Sequence, residues 1–332
     1  MTTPALVVSA SPHLRAKDTT PRIMWTVAAS LAPIVLAGTW FFGVSALLVI
    51  AAAAAGAMIT ERLLGKSGSI WDGSAAITGV LLGLTLPAGL PLWMAMLGGA
   101  FGIGFGKMLF GGLGQNVFNP ALIGRAFLQA SFPVPMTTWP TVGDAWWSLR
   151  GDNFAFPFTH PVTLDGLTAA TPLGLLKFEG QGTSITSLLI GNTTGSIGET
   201  SVVLILLCGA WLVWRGLMNW RIPVAIFATV AAVSAALHAV RPSAPGALFM
   251  LCSGGLALGS VYMATDPVTA PVTRNGRWIF GAGIGVLVVM IRVWGGLPEG
   301  VMYAILLMNA FTPFINKGTQ PRVFGTGRRA PT

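Results

Sequence analysis

Hydrophobic positions along this chain come in long runs separated by short clusters of Gly, Pro and basic residues. A helix that crosses a bilayer core needs roughly 20 apolar residues, and the runs Ile23–Phe42 and Val44–Leu64 reach that length. Three more follow at Ala75–Pro87, Leu92–Phe110 and Val117–Phe132. After a long polar stretch come Val202–Trp214, Ile222–Val240, Ala247–Thr265, Trp278–Val293 and Val301–Ile315. Several of these are short or interrupted by Gly and Pro. The pattern predicts an all-α polytopic membrane protein with about ten transmembrane helices, some of them broken.

Composition makes a soluble domain untenable. Hydrophobic residues form 53% of the 332 and charged residues 9%, with a mean hydropathy of +0.73. A soluble domain carries about a quarter charged residues to face water, so the solvent of this surface is largely lipid. Residues 1–21 are polar, with no apolar stretch ahead of the first run, so the first span is expected to act as the targeting signal. The net charge of +9 would suit a nucleic-acid binder, but its distribution argues otherwise. With ten spans, Arg15, Lys17, Arg22, Arg62, Lys66, Lys107, Arg215, Arg221, Arg274, Arg277, Lys317, Arg322, Arg328 and Arg329 fall on one side. Arg150, Lys177 and Arg241 fall on the other, and Arg125 and Arg292 lie within spans. This is the positive-inside pattern. It predicts cytoplasmic termini, an outward-facing central loop, and no nucleic-acid partner. Cys208 and Cys252 are too few for a four-thiolate iron–sulfur cluster and read as small buried apolar residues.

The chain divides into residues 1–21, a cytoplasmic arm; 22–132, a first five-span unit; 133–198, the outer loop; 199–315, a second five-span unit; and 316–332, a cytoplasmic tail. The two units resemble one another. Ser74–Pro91 pairs with Ser253–Pro271, Ala100–Leu113 with Ile284–Leu297, and Val117–Ala121 with Asn309–Pro313, at an offset of about 180 residues. A unit repeated after an odd number of crossings is inverted in the membrane, an architecture common among transporters, with the ligand or ion site near the midplane.

Gly106-Lys107 is no phosphate loop, because Phe101 stands where the first glycine belongs and Met108 follows the lysine. His13, His160 and His238 are too scattered for a metal, and no catalytic constellation stands out. Charges at membrane depth say more. Asp72-Gly73 and Asp266-Pro267 read equally well as helix punctuation or as sites. Arg125 and Arg292 lie in apolar runs. Asn119-Pro120 has the form of an N-cap followed by proline at the first helical position. That would place a helix start inside the membrane, where its amides could meet an anion or a polar ring. Arg125, further into the same helix, could contact an anionic ligand or pair with a carboxylate. In the outer loop, Asp165-Gly166-Leu167-Thr168-Ala169-Ala170-Thr171-Pro172-Leu173 reads first as a turn followed by a short helix. Thr171 is its cap, and the helix runs through Phe178. A hydroxyl so placed could also carry a phosphate ester.

Several long motifs resemble a known family. They include Ser11-Pro12-His13, Arg22-Ile23-Met24 and Trp40-Phe41-Phe42-Gly43. Gly111-Gly112-Leu113-Gly114-Gln115-Asn116 with Phe118-Asn119-Pro120-Ala121 follow, then Asp165-Gly166, Ala170-Thr171-Pro172-Leu173, Thr265-Asp266-Pro267-Val268-Thr269 and Pro321-Arg322-Val323. The chain resembles the RnfD/NqrB family of membrane subunits in ion-translocating electron-transport complexes, and its length and short N-terminal arm favour the RnfD type. The resemblance implies a multi-pass subunit of the bacterial inner membrane carrying electrons between the ferredoxin and NAD sides, coupled to Na+ or H+ movement. It implies FMN joined through its phosphate to Thr171 by a flavin transferase in the periplasm. The recognition pattern stands here as Thr168-Ala169-Ala170-Thr171, with Ala169 in place of the usual glycine. A second, non-covalent flavin, riboflavin, is also implied, and the segment from Gly111 to Arg125, with Asn119, is the candidate region for it or for an ion. Partners would be the other Rnf subunits (RnfA, RnfB, RnfC, RnfE and RnfG) and membrane lipid. A solute channel or transporter without a redox role is the competing reading, since an inverted-repeat core alone would support it equally well.

Overall fold

The computed structural model describes residues 18–65, 69–143, 146–147, 149–157, 170–199, 201–242 and 244–321. The sequence features at Ser11-Pro12-His13, Arg15, Lys17, Lys66, His160, Asp165 through Ala169, and Arg322 onward lie outside them. All regular structure among the described residues is helical. In the first half, α1 is Thr20–Phe42 and α2 is Val44–Leu64. They are followed by α3 (Ser74–Leu84), α4 (Leu92–Ile103), which runs on into a π-turn at Gly104–Met108, α5 (Pro120–Ser131) and a short α6 (Pro133–Thr137). In the outer segment, α7 (Pro172–Gly174) continues as a π-turn at Leu175–Glu179, and α8 is Ile185–Ile190. The second half holds α9 (Val202–Trp214), α10 (Arg221–Val240), α11 (Ala247–Cys252) and α12 (Leu256–Leu258), which runs into a π-turn at Gly259–Met263. It ends with α13 (Arg274–Trp294) and α14 (Val301–Thr319).

Among the described residues, four helices, α1, α2, α10 and α13, are long and apolar enough to cross a membrane. The other apolar runs fold as shorter pieces where the sequence supplies breakers. The run Ala247–Thr265 splits at Ser253-Gly254-Gly255, with Gly254 in a left-handed conformation at φ 66°. The run ending at Pro87 stops at Thr85, whose hydroxyl donates back to the Leu82 carbonyl (2.7 Å). Leu36, Leu63, Trp214 and Val240 face outward, as lipid-facing side chains do. Leu31, Val49, Leu82, Ile226, Phe280 and Val288 lie in one continuous core that spans both halves.

The chain reverses between α1 and α2 at the single residue Gly43 (φ 71°), where a Cβ would lie 2.7 Å from the Trp146 carbonyl oxygen. The outer segment is folded onto this end of the bundle. Val44 N–H donates to Trp146 O (3.1 Å), Arg150 N–H donates to the Ser45 hydroxyl (2.9 Å), and the Asn153 amide donates to the Ala88 and Leu90 carbonyls (both 3.0 Å). One expected correspondence fails. Asn119-Pro120 starts α5, whereas Asn309 and Pro313 lie inside α14. A proline can sit in a helix interior when neighbouring helices accommodate the break, so similar residues here mark different points of the two helices.

Candidate functional site

Thr171 is the N-cap of α7. Its Oγ1 accepts from Gly174 N–H (3.1 Å) and its backbone is extended, as the following proline requires. The helix it starts packs Leu173 against Leu188 and Phe249, so the half-buried hydroxyl is held at the rim of a cavity. That cavity has a volume of about 530 Å³. Met136, Trp139, Phe178, Met302 and Tyr303 give it apolar and aromatic walls, and Arg125, Gln129, Glu199 and Glu299 supply polar groups. Apolar walls with a few convergent polar groups, at this volume, are the usual make-up of a small-molecule site.

Arg125 reaches that cavity from the middle of α5. It is 8% exposed. Its Nη1 donates to the Thr85 carbonyl at the end of α3 (2.7 Å), and its Nη2 pairs with Glu299 Oε2 just ahead of α14 (2.9 Å). Glu299 Oε1 accepts from Gly255 N–H (2.6 Å) at the break between α11 and α12. One guanidinium thus joins a broken helix of the first half to a broken helix and a helix start of the second. Arg292, buried at the end of α13, donates to the Met250 (2.6 Å) and Ser253 (2.8 Å) carbonyls at the α11 terminus.

Lys177 fixes the Thr171 helix in place. Its ammonium donates to the carbonyls of Arg292 (2.9 Å), Gly295 (2.5 Å) and Leu297 (3.0 Å), closing the C-terminal end of α13. A cation there offsets the carbonyl end of the helix dipole, while burial lowers the Lys177 pKa from the ordinary lysine value.

Asn119 does not share this cavity. It caps α5 by accepting from Ala121 N–H (3.0 Å) and Leu122 N–H (3.4 Å), and its Nδ2 donates to Met263 O (3.3 Å) of the second half. It lines a smaller cavity of about 140 Å³ with Lys107, Asn116, Thr265 and Asp266. From Asn119 to Arg125 is about 9 Å along the helix axis, so the segment from Gly111 to Arg125 serves two cavities rather than one. Lys107, in the π-turn after α4, is buried and pairs with Glu61 Oε1 (2.5 Å). It also donates to the Ser74 hydroxyl (2.5 Å), which donates to Asp72 Oδ1 (2.5 Å). Asp72 and Asp266 also accept backbone N–H groups two residues on, from Ser74 (2.8 Å) and Val268 (3.1 Å), and so punctuate turns.

Sequence reading brought out Thr171, Arg125 and Asn119 but passed over Glu299, Glu199, Glu61 and the seat of Lys177. The available signal was scarcity. The chain has only 10 acidic residues, and Glu61 stands in an apolar run where a carboxylate needs a partner.

The chain matches the NQR2, RnfD, RnfE family over residues 7–325. It is 42% identical to the D subunit of the proton-translocating ferredoxin:NAD(+) oxidoreductase complex of Clostridium ljungdahlii, over 97% of this chain and 96% of that one. It is 41% identical to the D subunit of the ion-translocating oxidoreductase complex of Stutzerimonas stutzeri, over 94% of each. It is 39% identical to the D subunit of the Na(+)-translocating ferredoxin:NAD(+) oxidoreductase complex of Acetobacterium woodii, over 96% and 95%. With a match that covers almost the whole chain and relatives aligned nearly end to end, this all-helical membrane protein belongs to the NQR2, RnfD, RnfE family.

Proposed function

We propose that this chain is the FMN-bearing membrane subunit of an ion-translocating oxidoreductase complex, with FMN held by a phosphoester to Thr171. The observation that carries the reading is the placement of the Thr171 hydroxyl at the rim of an aromatic-walled cavity of about 530 Å³ with Arg125 and Glu299 inside it. The volume and walls suit a flat ring system. Trp139, Phe178 and Tyr303 offer apolar contact, and Gln129 and Arg125 offer hydrogen-bond donors. Bound there, FMN would supply the one-electron chemistry. The protein's part is to place the ring, exclude water and set the charge around it.

The same reading gives the chain about ten spans in two inverted five-span units, with cytoplasmic termini and the Thr171 segment in the periplasm. The close offset of the two broken regions supports it. Thr85, Pro87 and Pro91 recur as Thr265, Pro267 and Pro271, each set at the end of a short buried helix. Both Na+ and H+ stand in the names of the relatives, and either ion suits this reading. The other subunits of such a complex and a flavin transferase would be its partners. A second flavin fits less well. The Asn119 cavity, at about 140 Å³, lies below the ~300 Å³ from which ligand pockets usually start, so riboflavin does not fit there as the walls stand.

Denaturing electrophoresis of the chain purified from cells that make the transferase tests the main reading. A band fluorescent under ultraviolet light is expected from the wild type and none from Thr171→Ala. A dark wild-type band would exclude covalent flavin.

A further inference from the structure

We propose that Glu199 and Glu299 form a carboxyl pair that holds one proton on the floor of the Thr171 cavity and passes it to the group bound there. The proposal rests on the reading of that cavity as a redox site. Glu199 ends a short 3-10 turn, Ile197–Glu199, ahead of α9, and Glu299 lies in the connection ahead of α14. Both are therefore outside the long helices, and both line the cavity. The two carboxyls converge on Gly255, where a Cβ would stand 2.5 Å from Glu299 Oε1 and 3.6 Å from Glu199 Oε1, so the side chains are close enough to interact, with Ser196 beside Glu199. Two carboxyl groups can share a hydrogen bond only when one of them carries a proton, because two carboxylates have no donor between them.

The surroundings decide which one carries it. Glu299 accepts from Arg125 (2.9 Å) and from Gly255 N–H (2.6 Å). Although burial opposes ionisation, Arg125 and Arg292 hold the Glu299 carboxyl below the usual range. On Glu199 the Arg125 charge and the Ser196 bond pull the same way but are outweighed. Burial first, and then the Glu299 charge, push it up to about 8. The proton therefore sits on Glu199 at neutral pH and leaves as the pH rises through about 8. The charged groups that face the pair are Arg125 from α5 and Arg292 from α13. Lys177 is turned away onto three carbonyls. The break at Gly254-Gly255 makes room for the pair. A Cβ on Gly255 would stand 2.5 Å from Glu299 Oε1, and one on Gly254 would stand 3.1 Å from Arg292 Nη2.

With Glu199 protonated the four-residue cluster carries one net positive charge, and with Glu199 ionised it is neutral. The cluster can therefore release a proton without leaving an uncompensated buried carboxylate, which is what makes most buried acids poor donors. In the proposed step one electron enters the cavity from a one-electron donor in another subunit. The O–H bond of Glu199 breaks, its proton bonds to the ring, and the Glu199 carboxylate left behind is balanced by the two arginines. The carboxylate then regains a proton from the outer water.

Infrared titration of the full chain in detergent tests the pair without reference to any flavin. A protonated-carboxyl stretch is expected at neutral pH, fading as the pH rises through about 8 and missing from Glu199→Gln. Should Glu199→Gln fail to fold, Ser196→Ala serves instead. The Ser196 bond lowers the Glu199 pKa, so its loss should move the fading of the band to higher pH. Absence of the band from the wild type overturns the pair. The transfer is tested by the rate of proton-coupled reduction of the flavin-loaded protein. That rate should fall in the wild type as the pH rises through about 8 and should be slower and lose this pH dependence in Glu199→Gln. An unchanged rate and pH profile in that variant overturns the transfer even if the band is present. A preparation without flavin sinks the redox reading and the transfer together, while the infrared titration still decides whether the pair holds its proton.

Discussion

Arg125 holds three segments together through two hydrogen bonds, so its removal has consequences beyond the lost contacts. Arg125→Ala would strip the part-buried Glu299 carboxylate of its ion pair, leaving it the Gly255 N–H and its neighbours Glu199 and Arg292, and would free the Thr85 carbonyl. Breaking a buried ion pair from one side costs about 3–5 kcal/mol; with side-chain exposures of 10% and 20%, the lower end is expected. Thermal unfolding in detergent should show it, and Arg125→Lys should recover only part, because an ammonium cannot make the same fork of bonds. Lys177 acts on a smaller scale. Lys177→Met should keep the stem packed but leave three carbonyls without their cation. Hydrogen exchange is expected to speed up in residues 172–179 and 295–299, with less change elsewhere; if Thr171 carries flavin as proposed, its loading should drop as well. Of these residues, Thr171 and Asn119 were legible because a cap before a proline is a local pattern. Arg125 was legible as a charge in an apolar run. Its partner was not, because Glu299 is 174 positions away and nothing local in its sequence points back to Arg125.

At the scale of elements, the runs themselves were readable. The limits of α1, α2 and α9 fall within a few residues of the apolar blocks, because each block is bounded by Gly, Pro or charge. The end of α3 was readable for the same reason, whereas the break between α11 and α12 falls inside Ala247–Thr265, which reads as one apolar run. The π-turns at Gly104–Met108, Leu175–Glu179 and Gly259–Met263 were not readable either. An i→i+5 bulge follows from how a helix must pack on its neighbours rather than from its own residues. Two of them carry functional candidates, Lys107 and Lys177. Helix contact in the first half depends on small residues. Gly56 of α2 lies against the Met96 carbonyl of α4, and Gly99 of α4 against the Ala53 carbonyl of α2, so that a Cβ at either position would collide with backbone. Close approach through glycine is the usual means of packing helices in lipid. Gly99→Ala should force α2 and α4 apart and cost about 1–3 kcal/mol, measured as a lowered Tm. Gly112→Ala, where no atom lies within 4 Å, makes a poor control, because its φ of 104° strains any side chain. Gly182→Ala, in open space without that strain, is the better one.

Over the whole molecule, the charges and the cavities tell one story about sidedness. Arg62, Arg215, Arg221, Arg274, Arg277 and Lys317 lie at helix termini toward the end of the bundle that holds the Asn119 cavity. That cavity takes Leu217 and Met218 from the turn between α9 and α10. Arg150, Lys177 and Arg241 lie at the opposite end, with Thr171 and the reversal at Gly43. The sequence could sort these residues only by counting crossings. The fold brings them to two ends even though several apolar runs are broken into short helices. If the basic end is cytoplasmic, as the positive-inside rule requires, an impermeant thiol reagent should discriminate between the two ends. In a background with Cys208 and Cys252 replaced by serine, Gln181→Cys places a thiol on an exposed position just after α7, and Arg215→Cys places one on the exposed turn after α9. In right-side-out vesicles the reagent should modify Gln181→Cys at once and Arg215→Cys only after the membrane is opened. Labelling of Arg215→Cys in sealed vesicles would invert the orientation. The Thr171 cavity and its carboxyl pair would then face the cytoplasm, and a transferase working in the periplasm could not reach Thr171.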